Sequence, residues 1–191
     1  MPQHDVPARA ASERAHAEFE QFFERHHREL ARLAFLLSGD SQAVEDLTAE
    51  ALLAAWQRWP AIQATVGQPF AYVRRILVNI AATRVRRLGA ERRRLALLAA
   101  GEREEFMTSD PGISVDVRAA LLQLPARRRA CVVLRHAFDL SEAEVAEILG
   151  VSVGTVKSQT FKAMAQLQGI LDVSREEAGG SDRSLRAAAR S

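Results

Sequence analysis

The sequence predicts an all-α protein of two small helical domains joined by a flexible linker. Three observations lead there. Of the 191 residues 48% are hydrophobic but only 6% aromatic, with alanine, leucine and arginine abundant, which is the composition of packed helices rather than sheets. Apolar residues recur at helical spacing through most of the chain. Between the periodic stretches, Gly101 to Gly112 carries Glu102, Glu104, Glu105 and the turn signal Asp110-Pro111-Gly112, the pattern of an exposed linker.

Residues 1–17 read as an N-terminal tail. They mix His4, Asp5 and Glu13 with prolines and arginines and lack the apolar core of a secretory signal. From Phe19, the spacing of Phe22, Phe23, Leu30, Leu33 and Leu37 predicts a helix ended by Ser38-Gly39-Asp40. Asp40 or Ser41 then caps a second helix with an apolar row of Val44, Leu47, Ala51 and Ala54, which stops before Pro60. Gly67 and Pro69 announce a long arginine-bearing helix whose buried row is Phe70, Val73, Leu77, Ile80 and Ala81, with Gly89 as a point of interruption.

Beyond the linker, helices are expected over Val115 to Gln123, Ala126 to Ala137, Glu142 to Leu149 and Val153 to Leu171, punctuated by Pro125, Ser141 and Gly150. The expected domains are therefore 18–95 and 115–172, with a linker over 96–114. Residues 173–191 are polar, small and arginine-rich without periodicity, so a disordered tail is expected there.

Composition also excludes. No stretch approaches the roughly 18 to 20 apolar residues that span a bilayer, so no membrane segment is expected. Cys131 is the single cysteine; it forms no internal disulfide, fits a small core hydrophobe and is consistent with a reducing cytoplasm. His4, His16, His26, His27 and His136 show no metal-ligand spacing, and no nucleophile accompanies them. An enzyme is thus not expected, nor a metal or cofactor.

The formal net charge is only +2, but it is unevenly distributed. Residues 40–57 hold Asp40, Glu45, Asp46 and Glu50 with no lysine or arginine. Residues 70–94 hold eight arginines against Glu91 alone. On the acidic helix Asp46, Glu50 and Leu53 share one face, which fits either a solvated helix face or a contact surface that pairs charge for steering with an apolar contact for affinity. On the basic helix Tyr72, Arg75, Asn79 and Arg86 share the face opposite the apolar row, a cationic surface with an aromatic and an amide, which suits single-stranded nucleic acid.

The segment from Ser141 to Ser158 has the form of a helix-turn-helix. Ser141 and Glu144 make a capping box, Gly150 permits the turn, and the second helix starts near Ser152. A helical wheel turns Val156, Thr160, Met164, Leu167 and Leu171 to the core and leaves Gly154, Ser158, Phe161 and Lys162 outside. An outward phenylalanine fits a core or dimer contact or, beside a lysine and a serine, a thymine methyl or sugar in the major groove. Lys157, on the flank, is placed for phosphate. The run Arg127-Arg128-Arg129 fits either phosphate contact or a solvated helix face.

At this point the residues resemble a family. Asp46-Leu47-Thr48-Ala49-Glu50-Ala51-Leu52-Leu53-Ala54-Ala55-Trp56 is similar to the polymerase-binding helix of sigma-70-type transcription initiation factors. Tyr72-Val73-Arg74-Arg75-Ile76-Leu77-Val78-Asn79-Ile80-Ala81 resembles their promoter-melting segment. Leu124-Pro125 with Arg129, Asp139-Leu140-Ser141, and Val153-Gly154-Thr155-Val156-Lys157-Ser158 resemble their minus 35 module. The two-module layout is similar to the extracytoplasmic-function group, closest to an actinobacterial subgroup labelled SigE-like. Ala49, Tyr72 and Gln159 depart from the usual glutamine, tryptophan and arginine.

The resemblance implies a cytoplasmic sigma factor with core RNA polymerase and promoter DNA as partners and an anti-sigma protein as a further candidate. The acidic helix would dock on the polymerase clamp. The long helix would capture an unpaired minus 10 base near Asn79, and the helix-turn-helix, including Ser152 and Thr155, would read the duplex minus 35 element. A stand-alone helix-turn-helix regulator, binding duplex without polymerase, is the rival reading.

Overall fold

A computed structural model describes residues 6–65, 67–96 and 115–188. These residues fall into two compact units, one formed by α1 to α4 and the other by α5 to α8. Among the described residues there is no strand. The expected linker, apart from Ala96, lies outside the described residues.

The first unit comprises α1 (Val6–Ser38), α2 (Ser41–Trp56), α3 (Trp59–Thr65) and α4 (Pro69–Ala96). Gly39, with φ 70°, ends α1 where a side chain would be strained, and the Asp40 carboxylate caps α2 by accepting from the amides of Gln42 and Ala43 at 3.0 and 3.3 Å. Leu30, Leu33 and Leu37 of α1 bury against Leu47, Ala51 and Ala55 of α2 and Val73, Leu77 and Ala81 of α4. Full burial of a leucine contributes about 1.5–3 kcal/mol, so this three-helix core dominates the unit. At one end Trp59 is buried among aromatic rings, 5.0 Å from Phe19 and 4.9 Å from Phe22 between centroids.

The structure corrects the sequence reading at four points here. The helix begins at Val6, so most of the expected tail over 1–17 is helical; alanine, glutamate and arginine favour the helix without writing an apolar stripe. Trp59–Thr65 is an additional helix, in which Pro60 sits in the first turn, where its missing N–H costs nothing. Gly89 does not interrupt α4. Phe23 is exposed, while Phe70 and Ile80 are only half-buried and Val78 takes a core place.

The second unit comprises α5 (Val115–Gln123), α6 (Ala126–Val132) continued by a π-helical turn (Val133–Ala137), α7 (Glu142–Leu149) and α8 (Val153–Ala188). Its core joins Leu121, Leu124, Val133 and Leu134 to Val145 and Ile148 of α7 and to Val156, Ala163 and Leu167 of α8. Asp139 adopts φ 50° in the connection to α7, where Arg135 donates to the Leu140 carbonyl. The expectation of a disordered tail over 173–191 is corrected as far as Ala188, to which α8 runs on, no proline following Leu171 to end it; residues 189–191 lie outside the described residues.

Candidate nucleic-acid interface

On α2, Asp46, Glu50 and Leu53 are all exposed while Leu47, Ala51 and Leu52 beneath them are buried. The spacing i, i+4, i+7 brings the three to one face, as the sequence suggested. Leu53 is 56% exposed, a large apolar side chain that the fold leaves uncovered. Asp46 is not isolated: its Oδ2 accepts from Arg84 Nη1 of α4 at 3.4 Å.

On α4, Arg75, Asn79 and Arg86 are exposed and Tyr72 is half-buried, all turned away from Val73, Leu77 and Ala81. Arg86 donates to Thr83 Oγ1 at 3.2 Å, and that hydroxyl donates to the Asn79 carbonyl at 2.9 Å. Arg74, one residue from Arg75, serves the fold instead. It pairs with Glu29 of α1 and lies 4.1 Å over the ring of Phe70, which His26 stacks against at 3.9 Å. Burial, with Arg25 and Arg74 nearby, holds the His26 imidazole below its ordinary value despite Glu29.

In the second unit the helix-turn-helix is formed by local chemistry. The Ser141 hydroxyl accepts from the Glu144 amide at 3.2 Å, and the Glu144 carboxylate accepts from the Ser141 amide at 2.7 Å, closing the capping box. Gly150 takes the left-handed conformation, φ 63°, and lets the Val151 amide reach the Ala146 carbonyl at 3.0 Å. Ser152 caps α8 by accepting from the Thr155 amide at 3.1 Å, and its hydroxyl lies 2.9 Å from that of Thr155.

Gly154, Ser158, Phe161 and Lys162 all lie on the exposed side of α8, and Phe161 is 77% exposed. A Cβ added at Gly154 would meet only Ser152 Oγ, at 3.9 Å, so the unit itself does not require glycine there. Ser158 donates to the Thr155 carbonyl at 3.0 Å. Thr155 is half-buried. The core row differs from the wheel: Met164 is 44% exposed and Ala163 is buried in its place, because close helix packing selects the small residue.

The arginine run divides. Arg129 is buried and donates to the carbonyls of Leu122 and Leu124 at 3.0 and 3.2 Å, and burial lowers its guanidinium to about 10. It is a structural cation, so the phosphate alternative is corrected for this position. Arg128 donates to Gln166 of α8 at 3.0 Å, and Arg127 is exposed. Cys131 is buried, which pushes its thiol up despite Arg127. Sequence reasoning missed Glu142, whose carboxylate is 3.5 Å from Nζ of the candidate residue Lys157; two helices meet there, and no local pattern announces it.

The family model of sigma-70 region 2 matches residues 22–91 and that of sigma-70 region 4 matches residues 114–167. The chain is similar to the extracytoplasmic-function RNA polymerase sigma factor SigM of Mycobacterium tuberculosis, 35% identical over 153 residues, covering 80% of this chain and 76% of the relative. It is also similar to the RNA polymerase sigma-E factor of Streptomyces avermitilis, 32% identical over 153 residues, covering 79% and 83%. Among solved structures, the sigma factor RpoE bound to the anti-sigma factor NepR from Bartonella quintana aligns with a TM-score of 0.67 at 26% identity, covering 82% of this chain and 98% of that one. CnrH in complex with the cytosolic domain of CnrY aligns with a TM-score of 0.57 at 27% identity, covering 81% and 88%.

Proposed function

Because the chain belongs to the extracytoplasmic-function group of the sigma-70 family, we propose a division of labour among its exposed faces. The protein binds core RNA polymerase and directs promoter-specific transcription initiation. Its family consists of regulatory DNA-binding proteins rather than enzymes, and in this reading the chain performs no chemistry of its own.

Residues 18–95 carry polymerase binding and minus 10 capture, residues 115–172 carry minus 35 recognition, and residues 96–114 connect them. Asp46, Glu50 and Leu53 form the polymerase-docking face. Tyr72, Arg75, Asn79 and Arg86 receive the unpaired minus 10 strand, with Asn79 at the captured base. Ser152, Gly154, Thr155, Ser158, Phe161 and Lys162 approach the major groove, and Lys157 approaches the backbone. Cytoplasmic localisation follows from partners that reside there; among the described residues no helix is long and apolar enough to cross a membrane. The complex of the sigma factor RpoE with the anti-sigma factor NepR supports an anti-sigma protein as a further partner.

One observation carries this reading: three exposed faces of different chemistry occur on one chain. The first unit presents an acid-plus-leucine face on α2 and a cation-plus-amide face on α4, and the second presents a phenylalanine-plus-lysine face on α8. A stand-alone duplex-binding regulator has no use for the first two. Transcription of genomic DNA by purified core polymerase, with and without the protein, tests the choice. Transcripts sharing upstream elements and appearing only with the protein are expected. Tight duplex binding without polymerase and no new start sites would favour the regulator.

A further inference from the structure

Lys157 stands on the flank of α8 where a long cation would meet phosphate, yet its ammonium already has a carboxylate beside it. Glu142 Oε2 lies 3.5 Å from Lys157 Nζ, and this pair links the start of α7 to the first turns of α8. Glu142 is not needed for the cap of α7, since Ser141 and Glu144 complete that between themselves. Nor does the pair hold the unit together: the side chains are 64% and 35% exposed, and exposed pairs of this kind contribute little to stability. α7 carries Glu142, Glu144 and Glu147 and no lysine or arginine, so it has no cation of its own to offer the DNA backbone.

We propose that Glu142 is an affinity-setting residue, which competes with DNA phosphate for Lys157 and so lowers sequence-independent binding without altering base preference. The proposal rests on the reading of α8 as the recognition helix. An ammonium that must leave a carboxylate to reach phosphate brings a nearly neutral pair to the duplex. It therefore releases fewer counterions than a free cation, whose contact adds about 0.9 to the slope of log affinity against log salt. Phosphate contacts strengthen every sequence alike, and a promoter-seeking protein works against a large excess of non-specific sites. Weakening one such contact from within the protein lowers the background while leaving base-edge contacts intact.

A double-mutant cycle on the full chain, reconstituted with core polymerase, tests this. Wild type, Glu142→Gln, Lys157→Ala and the double variant are titrated with a promoter duplex and a scrambled duplex across a salt series, with Glu147→Gln as the control for charge alone. Glu142→Gln is expected to tighten binding to both duplexes by roughly threefold at low salt and to steepen the salt slope by up to about 0.9. Lys157→Ala is expected to cost more in the Glu142→Gln background than in wild type. Equal, non-zero costs would overturn the competition and leave Lys157 as a phosphate contact. A smaller cost in the Glu142→Gln background would also overturn it, making Glu142 a positioning residue for Lys157. No cost in either background would remove Lys157 from the interface and the proposal with it. A gain from Glu147→Gln equal to that from Glu142→Gln would reduce the effect to bulk charge and overturn the proposal.

Discussion

Asp46 of α2 and Arg84 of α4 face each other at 3.4 Å, so the acidic helix and the basic helix of the first unit are tied by an ion pair at the surface. Such a pair contributes about 0–1 kcal/mol, because water screens it and two long side chains must be held still. Asp46→Arg loses that pair and sets a second cation beside Arg84, an exposed repulsion of similar small size, so it destabilises the unit by roughly 1–1.5 kcal/mol at most, while it reverses the charge of the proposed docking face. We expect affinity for core polymerase to fall by at least about tenfold, or ~1.4 kcal/mol, with a urea midpoint close to wild type. Unchanged affinity in a folded variant would move the docking surface off α2.

Arg129 behaves in the opposite way, being 4% exposed with its guanidinium on the carbonyls of Leu122 and Leu124. Hydrogen bonds from a charged donor contribute about 1.5–3 kcal/mol, and both acceptors lose this donor together. Arg129→Ala is expected to cost roughly 2–4 kcal/mol of stability by urea denaturation. The guanidinium stays charged below about 10, so the loss should be the same across neutral pH. A loss under about 0.5 kcal/mol, typical of surface positions, would contradict a structural role.

His26 supplies the pH dependence. Burial against Phe70 disfavours its charged form, so the unfolded chain takes up a proton at a higher pH than the folded one. With the folded value depressed, stability is full above the ordinary 6.5 and is lost as pH falls below it. The urea midpoint of wild type should drop between about pH 7.5 and about pH 5.5 by more than that of His26→Gln. Parallel curves for the two proteins would remove His26 as a cause.

These residues show which parts of the molecule a sequence can reveal. The capping box of Ser141 and Glu144 and the bounds of α7 were legible because the chemistry is local, a hydroxyl and a carboxylate three residues apart. Outward placement of Phe161 followed from period alone. Arg129 was hidden in a run of three arginines, because its acceptors are carbonyls at and beyond the last turn of α5, and such orphan groups leave no mark on side-chain pattern. Met164 lies at the margin of the buried arc, and the packed helices take Ala163, one residue back and closer to its centre. The long ends of α1 and α8 rest on propensity without an apolar stripe, and periodicity is blind to them.

Asn79 is exposed on α4 one turn beyond Arg75, a position suited to a base that has left the stack. Unstacking costs a few kcal/mol, which a pocket must offset. Asn79→Ala should spare closed-complex binding and slow strand opening, and a premelted promoter should largely restore activity. Equal loss on duplex and premelted templates would leave Asn79 holding the captured base with no part in strand opening.

On α8, the proposed recognition helix, base-reading and phosphate contacts separate by mutation. Phe161 and Lys162 project from the exposed side of α8, while the Ser158 hydroxyl is occupied by the Thr155 carbonyl. Phe161 is already exposed to water, so Phe161→Ala should leave stability within about 0.5 kcal/mol of wild type and lower promoter affinity through the lost apolar contact. A side chain that bonds a base edge contributes roughly 1–3 kcal/mol of discrimination, whereas a phosphate contact weakens all sequences alike. Lys162→Ala is expected to relax preference at one or two positions of a randomised minus 35 library, and Lys157→Ala to lower affinity uniformly, modestly while Glu142 is present. Selection from that library with both variants decides between them. Unaltered base preference in a folded Lys162→Ala protein would mean that α8 enters the groove on a different face, with Gly154 and Ser158 carried away from the base edges along with it.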